Sequence, residues 1–456
     1  MHVRVSVPLA FFVLSAGCFN PDDDSPAMAT ETEGSTGVAA TETSPTGSPT
    51  SGTAGSTGDS LTSTTQEPTT GITETATDSG PTTTAAESAD ASSTTGDPLP
   101  IECGDGVPAP GEVCFDDAAV LNAGDIGYSP RVGEVNGDGN VDLLYLYGDQ
   151  IVVRLGGGDG TFGPELPDET LFCDQMELAD VDGDDVLDHV CTVNYDNTLS
   201  VSLGNGAGSF SLQTDSTTVG ANPVNLAAGA LNGDDNADVV TIHGTESGQI
   251  RTLLSQGNGE FMISDNVSTG GLPGADVALG DFTGDGFNDI VFTVVSGNEQ
   301  IRIAVNDGTG EFGQSLTVST ATDGAFGVAA GDFNDDGDDD VAVANGDEIL
   351  TLVATGTASF ESAVSLEVPA GALAFRTHVV DVTNDDVPDV LAVYSNQAVV
   401  SVFPSNGDGT FGERVDISIG GPGDSLSSGD VNDDGIPDIV VGSTSNELIT
   451  VLVSTP

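Results

Sequence analysis

The chain has no lysine, and its seven positive side chains, all arginines, face 73 aspartates and glutamates. The formal charge of the 456 residues is therefore −66. Because almost nothing here can neutralise phosphates, nucleic acids and anionic lipid surfaces are poor partners. Such an excess of carboxylates indicates either solvated disorder or cation binding, and the position of the acids along the chain separates the two.

Long apolar runs are also scarce. Residues 1–17, "MHVRVSVPLAFFVLSAG", place Arg4 before an apolar run of about half the length that a bilayer requires, which predicts an export signal. The following "LSAGC" resembles the lipobox of bacterial lipoproteins, which implies lipidation of Cys18 and anchoring at the outer membrane or cell surface. Ser15 stands where that family prefers leucine. The alternative is ordinary signal cleavage, with Cys18 lost or free and the protein secreted.

Residues 18–100 have no lysine or arginine, no periodicity, and no aromatic residue after Phe19. A segment of Thr, Ser, Gly, Ala, Pro and Glu buries too little apolar surface to offset the entropy of ordering. We expect a disordered tether, whose root-mean-square reach would be on the order of 50 Å.

Cysteine and histidine are too few and too scattered to predict a zinc site or a catalytic triad. After Cys18, the four remaining cysteines predict two local disulfides in an exported protein, Cys103–Cys114 and Cys173–Cys191, the first beginning in a short lead-in, 101–112. The histidines His189, His243 and His378 lie in separate repeats. With no Ser-His-Asp or Cys-His grouping in the sequence, we expect satisfied or exposed side chains rather than catalytic ones.

What the chain does have is one acidic nonapeptide repeated seven times at intervals of 46 to 51 residues. Loops 1 to 7 are "EVNGDGNVD" (134–142), "DVDGDDVLD" (180–188), "ALNGDDNAD" (230–238), "DFTGDGFND" (281–289), "DFNDDGDDD" (332–340), "DVTNDDVPD" (381–389) and "DVNDDGIPD" (430–438). Each is followed by two β-rich runs and a glycine-rich turn with a phenylalanine. A period near 50 with four short strands predicts an all-β, seven-bladed β-propeller over residues 113–456.

The phenylalanine series also predicts how the ring closes. Phe115 precedes loop 1 at the spacing of the other turn phenylalanines, but no earlier unit exists for it to end. The last unit stops at "LITVLVSTP" without such a turn. We therefore expect a strand near 115–122 to complete the last blade and remove its open edge.

With "DGTFG" (159–163 and 408–412), "GTGEFG" (308–313) and the seven acidic loops, the chain resembles the FG-GAP or VCBS repeat family of β-propellers, which includes the head of integrin α subunits. The resemblance covers about residues 113–456. It implies a propeller fold, whereas the family serves adhesion, structure and occasionally catalysis, so it leaves the function open.

The loop frame D-x-[DN]-x-D-G-x-x-D carries oxygen side chains at positions 1, 3, 5 and 9, and position 7 can offer its carbonyl. In the β-propeller version that the resemblance implies, the aspartate at position 9 completes the site. Oxygen ligands of this number favour Ca²⁺ over Mg²⁺ or zinc, and we expect four to six ions. The alternative is a set of solvated turns, since Asp, Asn and Gly are turn residues.

The predicted metal ligands are the following residues of the seven loops. They are Glu134, Asn136, Asp138, Asn140 and Asp142; Asp180, Asp182, Asp184, Val186 and Asp188; Asn232, Asp234, Asn236 and Asp238; Asp281, Thr283, Asp285, Phe287 and Asp289; Asp332, Asn334, Asp336, Asp338 and Asp340; Asp381, Thr383, Asp385, Val387 and Asp389; and Asp430, Asn432, Asp434, Ile436 and Asp438. Loop 3 has Ala230 at position 1, so we expect its site to be empty or weak. Position 6 requires a residue that tolerates positive φ, and Asp185, Asp235 and Asp386 replace glycine there.

These observations predict an exported, lipid-anchored, Ca²⁺-binding propeller that serves as a binding or adhesion module at the cell envelope, without enzymatic activity. Its partner would be a surface glycan or an envelope protein, and only its lipid would touch the membrane. One alternative is a polysaccharide-acting enzyme with its site over the central channel. Another is a structural subunit of a surface complex. An acid, a base and a cation converging at the channel would favour the enzyme, whereas an apolar or aromatic patch would favour a binding surface.

Overall fold

A computed structural model describes residues 113–116, 119–122, 127–147, 150–170, 173–212, 217–245, 248–295, 299–320 and 324–455. The predicted signal (1–17), lipidation site Cys18, tether (18–100) and lead-in (101–112) with Cys103 lie outside the described residues. The described residues contain 29 strands in seven antiparallel sheets. They form no helix, and accordingly no helix that could span a membrane.

Each sheet is one blade, and the chain fills the blades in sequence order. Blade 1 holds β2 (Gly127–Gly133), β3 (Asp142–Tyr147), β4 (Gln150–Arg154) and β5 (Leu166–Thr170); blade 2, β6 (Gln175–Ala179), β7 (Asp188–Val193), β8 (Thr198–Gly204), β9 (Phe210–Leu212) and β10 (Thr217–Thr218); blade 3, β11 (Pro223–Gly229), β12 (Asp238–His243), β13 (Gln249–Ser255) and β14 (Phe261–Ser268); blade 4, β15 (Gly274–Gly280), β16 (Asp289–Val294), β17 (Gln300–Ala304) and β18 (Leu316–Thr320); blade 5, β19 (Ala325–Gly331), β20 (Asp340–Asn345), β21 (Glu348–Leu352) and β22 (Val364–Glu367); blade 6, β23 (Ala374–Val380), β24 (Asp389–Tyr394), β25 (Gln397–Phe403) and β26 (Val415–Ser418); and blade 7, β27 (Ser425–Gly429), β28 (Asp438–Ser443), β29 (Leu448–Leu452) and β1 (Ala119–Asn122).

The first strand of each blade lies at the centre of the ring. These seven inner strands, β2, β6, β11, β15, β19, β23 and β27, each contact the inner strands of both neighbouring blades. Their small residues permit this crowding. At Gly327, for example, an added Cβ would lie 2.7 Å from Cα of Arg376 in the next blade.

The ring closes as the sequence predicted. Strand β1 pairs antiparallel with β29, from Ala119 opposite Val451 to Asn122 opposite Leu448. Phe115 continues this pairing through an isolated bridge to Ser454. The seventh blade is thus built from both ends of the repeat region, and β29 has a partner on each side.

The second strand of each blade is buried along its length, because the blades stack face to face and cover both of its sides. All six positions of β12, β16, β20, β24 and β28 are buried. The turn phenylalanines add a second contact between blades. Phe411 of blade 6 meets Phe333 of loop 5 at 5.4 Å between ring centroids, and Phe360 meets Phe282 of loop 4 at 5.8 Å.

The two rims of the ring therefore differ. The acidic loops and the phenylalanine turns share one rim, which we call the acidic rim, where turns bond to the preceding blade through pairs such as Gly409 N–H to the Phe333 carbonyl, 3.2 Å. The other connections meet at the opposite rim, where the Ser395 N–H donates to the carbonyl of Leu373, 3.0 Å.

Candidate metal centres

The carboxylate at loop position 1 organises its loop by accepting backbone N–H bonds. In loop 4, Asp281 Oδ1 accepts from Thr283, Gly284 and Asp285 at 2.7–3.2 Å, and Oδ2 accepts from Gly286 at 2.7 Å. Loops 2, 5, 6 and 7 repeat this pattern in part, and Glu134 accepts two N–H bonds in loop 1. Each loop thereby wraps around its first acidic side chain.

This wrapping requires left-handed backbone at positions 4 and 6. In loops 1, 2, 4, 5, 6 and 7 both positions have positive φ, from +53° at Asn384 to +90° at Gly337. Asp185 and Asp386 adopt this conformation at position 6, as predicted. Asp235 does not, and neither does Gly233, so the expectation of positive φ is wrong for loop 3. The physical reason is Ala230, which offers no carboxylate for the loop to wrap around.

Position 5 is uniform in all seven loops. Its aspartate accepts the N–H of position 7 at 2.8–3.1 Å. In loop 2, carboxylate oxygens of Asp180, Asp182 and Asp184 all lie within 4.8 Å of one another. The loop frame predicted from sequence therefore brings three acids together in loop 2.

The aspartate at position 9 begins the second strand and is 0–1% exposed in every blade. Its Oδ2 accepts the N–H of position 2, as from Phe333 to Asp340 at 2.8 Å, and its Oδ1 accepts an N–H at the end of the third strand, as from Ala354 at 2.7 Å. The same two bonds recur in all seven blades. Each carboxylate oxygen retains a second lone pair, so the predicted coordination by this residue stays a prediction.

Burial makes these position 9 carboxylates costly to ionise. It raises the pKa of Asp289, Asp340 and Asp389 to about 7, against the lowering effect of the two N–H bonds. The pKa of Asp188 is raised to about 6 by the same cause. A nearby cation would favour the charged forms.

The donor set fits a hard divalent cation. In loop 2, Oδ1 of Asp182 is buried and has no hydrogen-bond partner among the described residues. Burial, followed by repulsion from Asp184 and Asp180, raises the pKa of Asp182. An orphaned carboxylate oxygen among converging acids is a site where a cation would supply the missing partner. Loop 3, which lacks both the first carboxylate and the wrapped backbone, fits less well.

A second polar cluster, which the sequence reading missed, lies on the inner strands. Arg131 of blade 1 forms two bonds to Glu177 of blade 2, 2.5 and 2.8 Å long. Asp276 of blade 4 is buried, bonds to Asn225 and to the N–H of Val328, and lies 3.3 Å from Nη1 of Arg376 in blade 6. We call these residues the channel belt. The sequence did contain a signal for this cluster. Its side chains stand at equivalent positions of the repeats, three places before position 1 of the loop for Arg131 and Glu177, and five places before it for Asn225, Asp276 and Arg376.

The expectation of satisfied or exposed histidines holds for His243 but not for His189, which is buried and whose Nδ1 has no hydrogen-bond partner among the described residues. His243 contacts Thr241 Oγ1 at 3.2 Å and the Ala221 carbonyl at 3.0 Å. The structure does bring together one Ser–His pair that the sequence did not reveal: His378 Nε2 lies 2.8 Å from Ser428 Oγ of the next blade. Burial lowers the pKa of His378 to about 4, and among the described residues no carboxylate bonds to its ring. The pair therefore lacks the third member of a triad.

Cys173 and Cys191, which are 18 positions apart in sequence, form a disulfide, as predicted. Their sulfurs and the buried ring of His189 lie close together, but sulfurs engaged with each other are not available as thiolate ligands. Cys114 is also disulfide-bonded, and Cys103, its predicted partner, lies outside the described residues.

Seven antiparallel sheets arranged around one axis, with an acidic loop after each inner strand, define a seven-bladed β-propeller. The FG-GAP-like repeat model matches residues 231–292, 281–343, 332–392 and 381–441, each match running from one acidic loop past the next. The chain is therefore a propeller that carries FG-GAP-like repeats. Among curated proteins, none matches it in sequence.

Solved structures with this fold have low identity to the chain. The crystal structure of BBS1N in complex with ARL6DN is 15% identical, with a TM-score of 0.52 over 75% of this chain and 97% of that chain. Virginiamycin B lyase from Staphylococcus aureus is 14% identical, with a TM-score of 0.50 over 74% and 99%. An Agrocybe aegerita lectin that recognises non-reducing terminal N-acetylglucosamine is 19% identical, with a TM-score of 0.49 over 73% and 87%. These likenesses concern the fold alone.

Proposed function

We propose that the protein is an exported, lipid-anchored, Ca²⁺-binding propeller that serves as a binding or adhesion module at the cell envelope. The observation that carries this proposal is the shared wrap of six acidic loops, with their acids gathered on one rim. A rim whose loops are held by bound ions is a rigid support, and the loops at the opposite rim are then available to bind a partner.

Calcium would be held by the side chains at positions 1, 3 and 5, by the carbonyl at position 7, and by the aspartate at position 9. When bound, it would neutralise the gathered carboxylates and fix the loops. Four to six ions per chain remain the expectation, with loop 3 the least occupied site. The partner we propose is a surface glycan or an envelope protein, recognised at the opposite rim.

The channel belt supports a second candidate function, that of an enzyme acting on polysaccharide. It brings acids and arginines onto the inner strands, which also carry the base His378, and this is the composition that a catalytic site over the channel would need. Against this, Glu177 is engaged by Arg131, and Asp276 accepts bonds from blades 3, 5 and 6. An acid held in this way is better suited to joining blades than to transferring protons.

The test compares Asp336→Asn with Asp234→Asn in the full-length protein. Both remove one position 5 carboxylate, but the first lies in wrapped loop 5 and the second in loop 3, so the second is the matched control. We expect Asp336→Asn to lose one bound calcium by elemental analysis and to weaken binding to isolated cell envelopes, whereas Asp234→Asn should change neither.

Binding to envelopes that is equal in calcium and in EGTA would contradict the proposal. Cleavage of a glycan panel by the parent protein, abolished by His378→Gln while calcium content is unchanged, would favour the enzyme instead.

A further inference from the structure

The mouth of the channel at the opposite rim carries two neighbouring phenylalanines. Phe326 and Phe375 are each the second residue of an inner strand, in blades 5 and 6, and their ring centroids are 5.9 Å apart at an interplanar angle of 36°. Phe326 is 40% exposed, and Leu373, two residues before Phe375, is 50% exposed. Large apolar side chains are thus presented to solvent next to the channel.

The two rings meet because the strands beneath them are unusually close. Gly327 follows Phe326, and a Cβ at this glycine would clash with the backbone of Phe375, Arg376 and Thr377 at 2.7–3.0 Å. Gly324 similarly leaves room for the Phe326 ring, which an added Cβ would approach to 2.7 Å. Two glycines therefore permit this arrangement, and larger residues would push the rings apart.

Arg376 places a positive charge beside the rings. Its guanidinium carbon lies 4.9 Å from the centroid of Phe375. Both of its hydrogen bonds come from Nη1, to Asp276 and to the Phe326 carbonyl. A guanidinium has five N–H donors. Those on Nε and Nη2 of Arg376 have no partner among the described residues. That edge has the geometry for two parallel bonds to a carboxylate.

We propose that this mouth, formed by Phe326, Leu373, Phe375 and Arg376, binds a sugar that carries a carboxylate, that is, a uronate unit of a surface polysaccharide. The phenyl rings would pack against the C–H groups of the sugar ring, and the free edge of Arg376 would donate two N–H bonds to the carboxylate. This inference rests on the proposed binding function and specifies its ligand. At short range Asp276 and Asp424 share the charge of Arg376, and the rest of the chain's net charge opposes an anion only at long range, because salt at 0.15 M screens charges beyond about 8 Å.

The experiment measures binding of methyl β-glucuronide and of neutral methyl β-glucoside to the full-length protein by NMR titration in 0.15 M NaCl and 1 mM Ca²⁺. We expect the glucuronide to bind at least about tenfold tighter, the effect of one charge-assisted bond or more. Acetate at equal concentration should not displace it, because acetate has no ring to pack on the phenylalanines.

Two variants and two matched controls locate the site. Arg376→Lys keeps the charge beside Asp276 but removes the planar edge, so the preference for the glucuronide should fall about tenfold. Phe326→Ala should weaken both sugars. The first control is Arg414→Lys, because the Arg414 side chain already bonds to Asp416 and Glu367, which lie on outer strands. The second is Leu316→Ala, because Leu316 is 53% exposed on β18. Neither control should change binding.

Equal affinity for the two sugars, no detectable binding of the glucuronide, or parent-like binding by Arg376→Lys and Phe326→Ala would overturn this inference. Calcium-dependent envelope binding that survives both variants would overturn it while leaving the proposed function intact. Loss of calcium-dependent envelope binding in the parent itself would instead remove the proposed function.

Discussion

The stability of the calcium-free protein should fall as pH rises from 6.5 to 8. Burial raises the pKa of Asp289, Asp340 and Asp389 to about 7, so the folded state binds protons more tightly than the unfolded state, where aspartate titrates near 3.9. A raised folded pKa adds stability at low pH that is lost as pH rises through that pKa. Between pH 6.5 and 8 each of these groups gives up about 0.8 kcal/mol, or about 2 kcal/mol for the three together.

Histidine partly opposes this trend. Burial lowers the pKa of His189 to about 3 and of His378 to about 4, so unfolded histidine, which titrates near 6.5, takes up protons below that pH and opposes the trend. Between pH 6.5 and 8 this opposition amounts to about 0.4 kcal/mol for each of the two histidines, so it reduces the aspartate effect without cancelling it. The assay is thermal unfolding in EDTA at pH 6.5 and 8, where we expect the Tm to drop by a few degrees.

Calcium supplies the control. If the loops bind Ca²⁺, the ion stabilises the ionised carboxylates, so the Tm in 5 mM Ca²⁺ should not fall over this window, and the difference between the two curves should widen toward pH 8. Asp340→Asn removes one titrating group and should reduce the drop in EDTA by about a third. A Tm in EDTA that is constant or higher at pH 8 would refute the reasoning.

Three further predictions concern the fold. Gly337→Ala should lower the free energy of unfolding, measured in urea, by about 1–2 kcal/mol, because the φ of Gly337 is +90°. Gly233→Ala should not lower it, because Gly233 lacks positive φ, although at both glycines no atom lies within 4 Å of an added Cβ; equal effects would contradict this. Replacing Cys173 and Cys191 by serine should remove about 2–4 kcal/mol in the same assay, and an unchanged midpoint would show that the bond contributes nothing. Deleting Ala119–Asn122 should expose the edge of β29 and produce dimers or aggregates in size-exclusion chromatography, and a monomer with the parent's Tm would be the contrary result.

The sequence predicted the parts of this fold that depend on repetition. The interval between acidic loops predicted the blades, and the unmatched Phe115 predicted that β1 would complete blade 7. Ala230 predicted that loop 3 would differ, and its backbone does differ. Each of these signals is local or strictly periodic, so the three-dimensional arrangement follows from the chain's own spacing.

The channel belt and the phenylalanine mouth depend instead on how far each inner strand leans toward the axis. Arg376 and Asp276 are 100 residues apart and belong to blades that are not neighbours. Their contact requires Gly327 of the intervening blade to let the strands approach. Aligning the seven repeats identifies such residues as equivalent positions, but only the folded propeller shows which of them contact each other.

Closure by β1 sets an order of events during synthesis. The ribosome makes Ala119–Asn122 roughly 330 residues before Leu448–Leu452, a delay of about 20 to 70 s at ordinary translation rates. Throughout that interval the first strand has no partner, and the incomplete ring is an open arc with an uncovered blade at each end. Closure of the ring therefore depends on complete synthesis, because a prematurely terminated chain can fold most of its blades but lacks the strands that pair with β1.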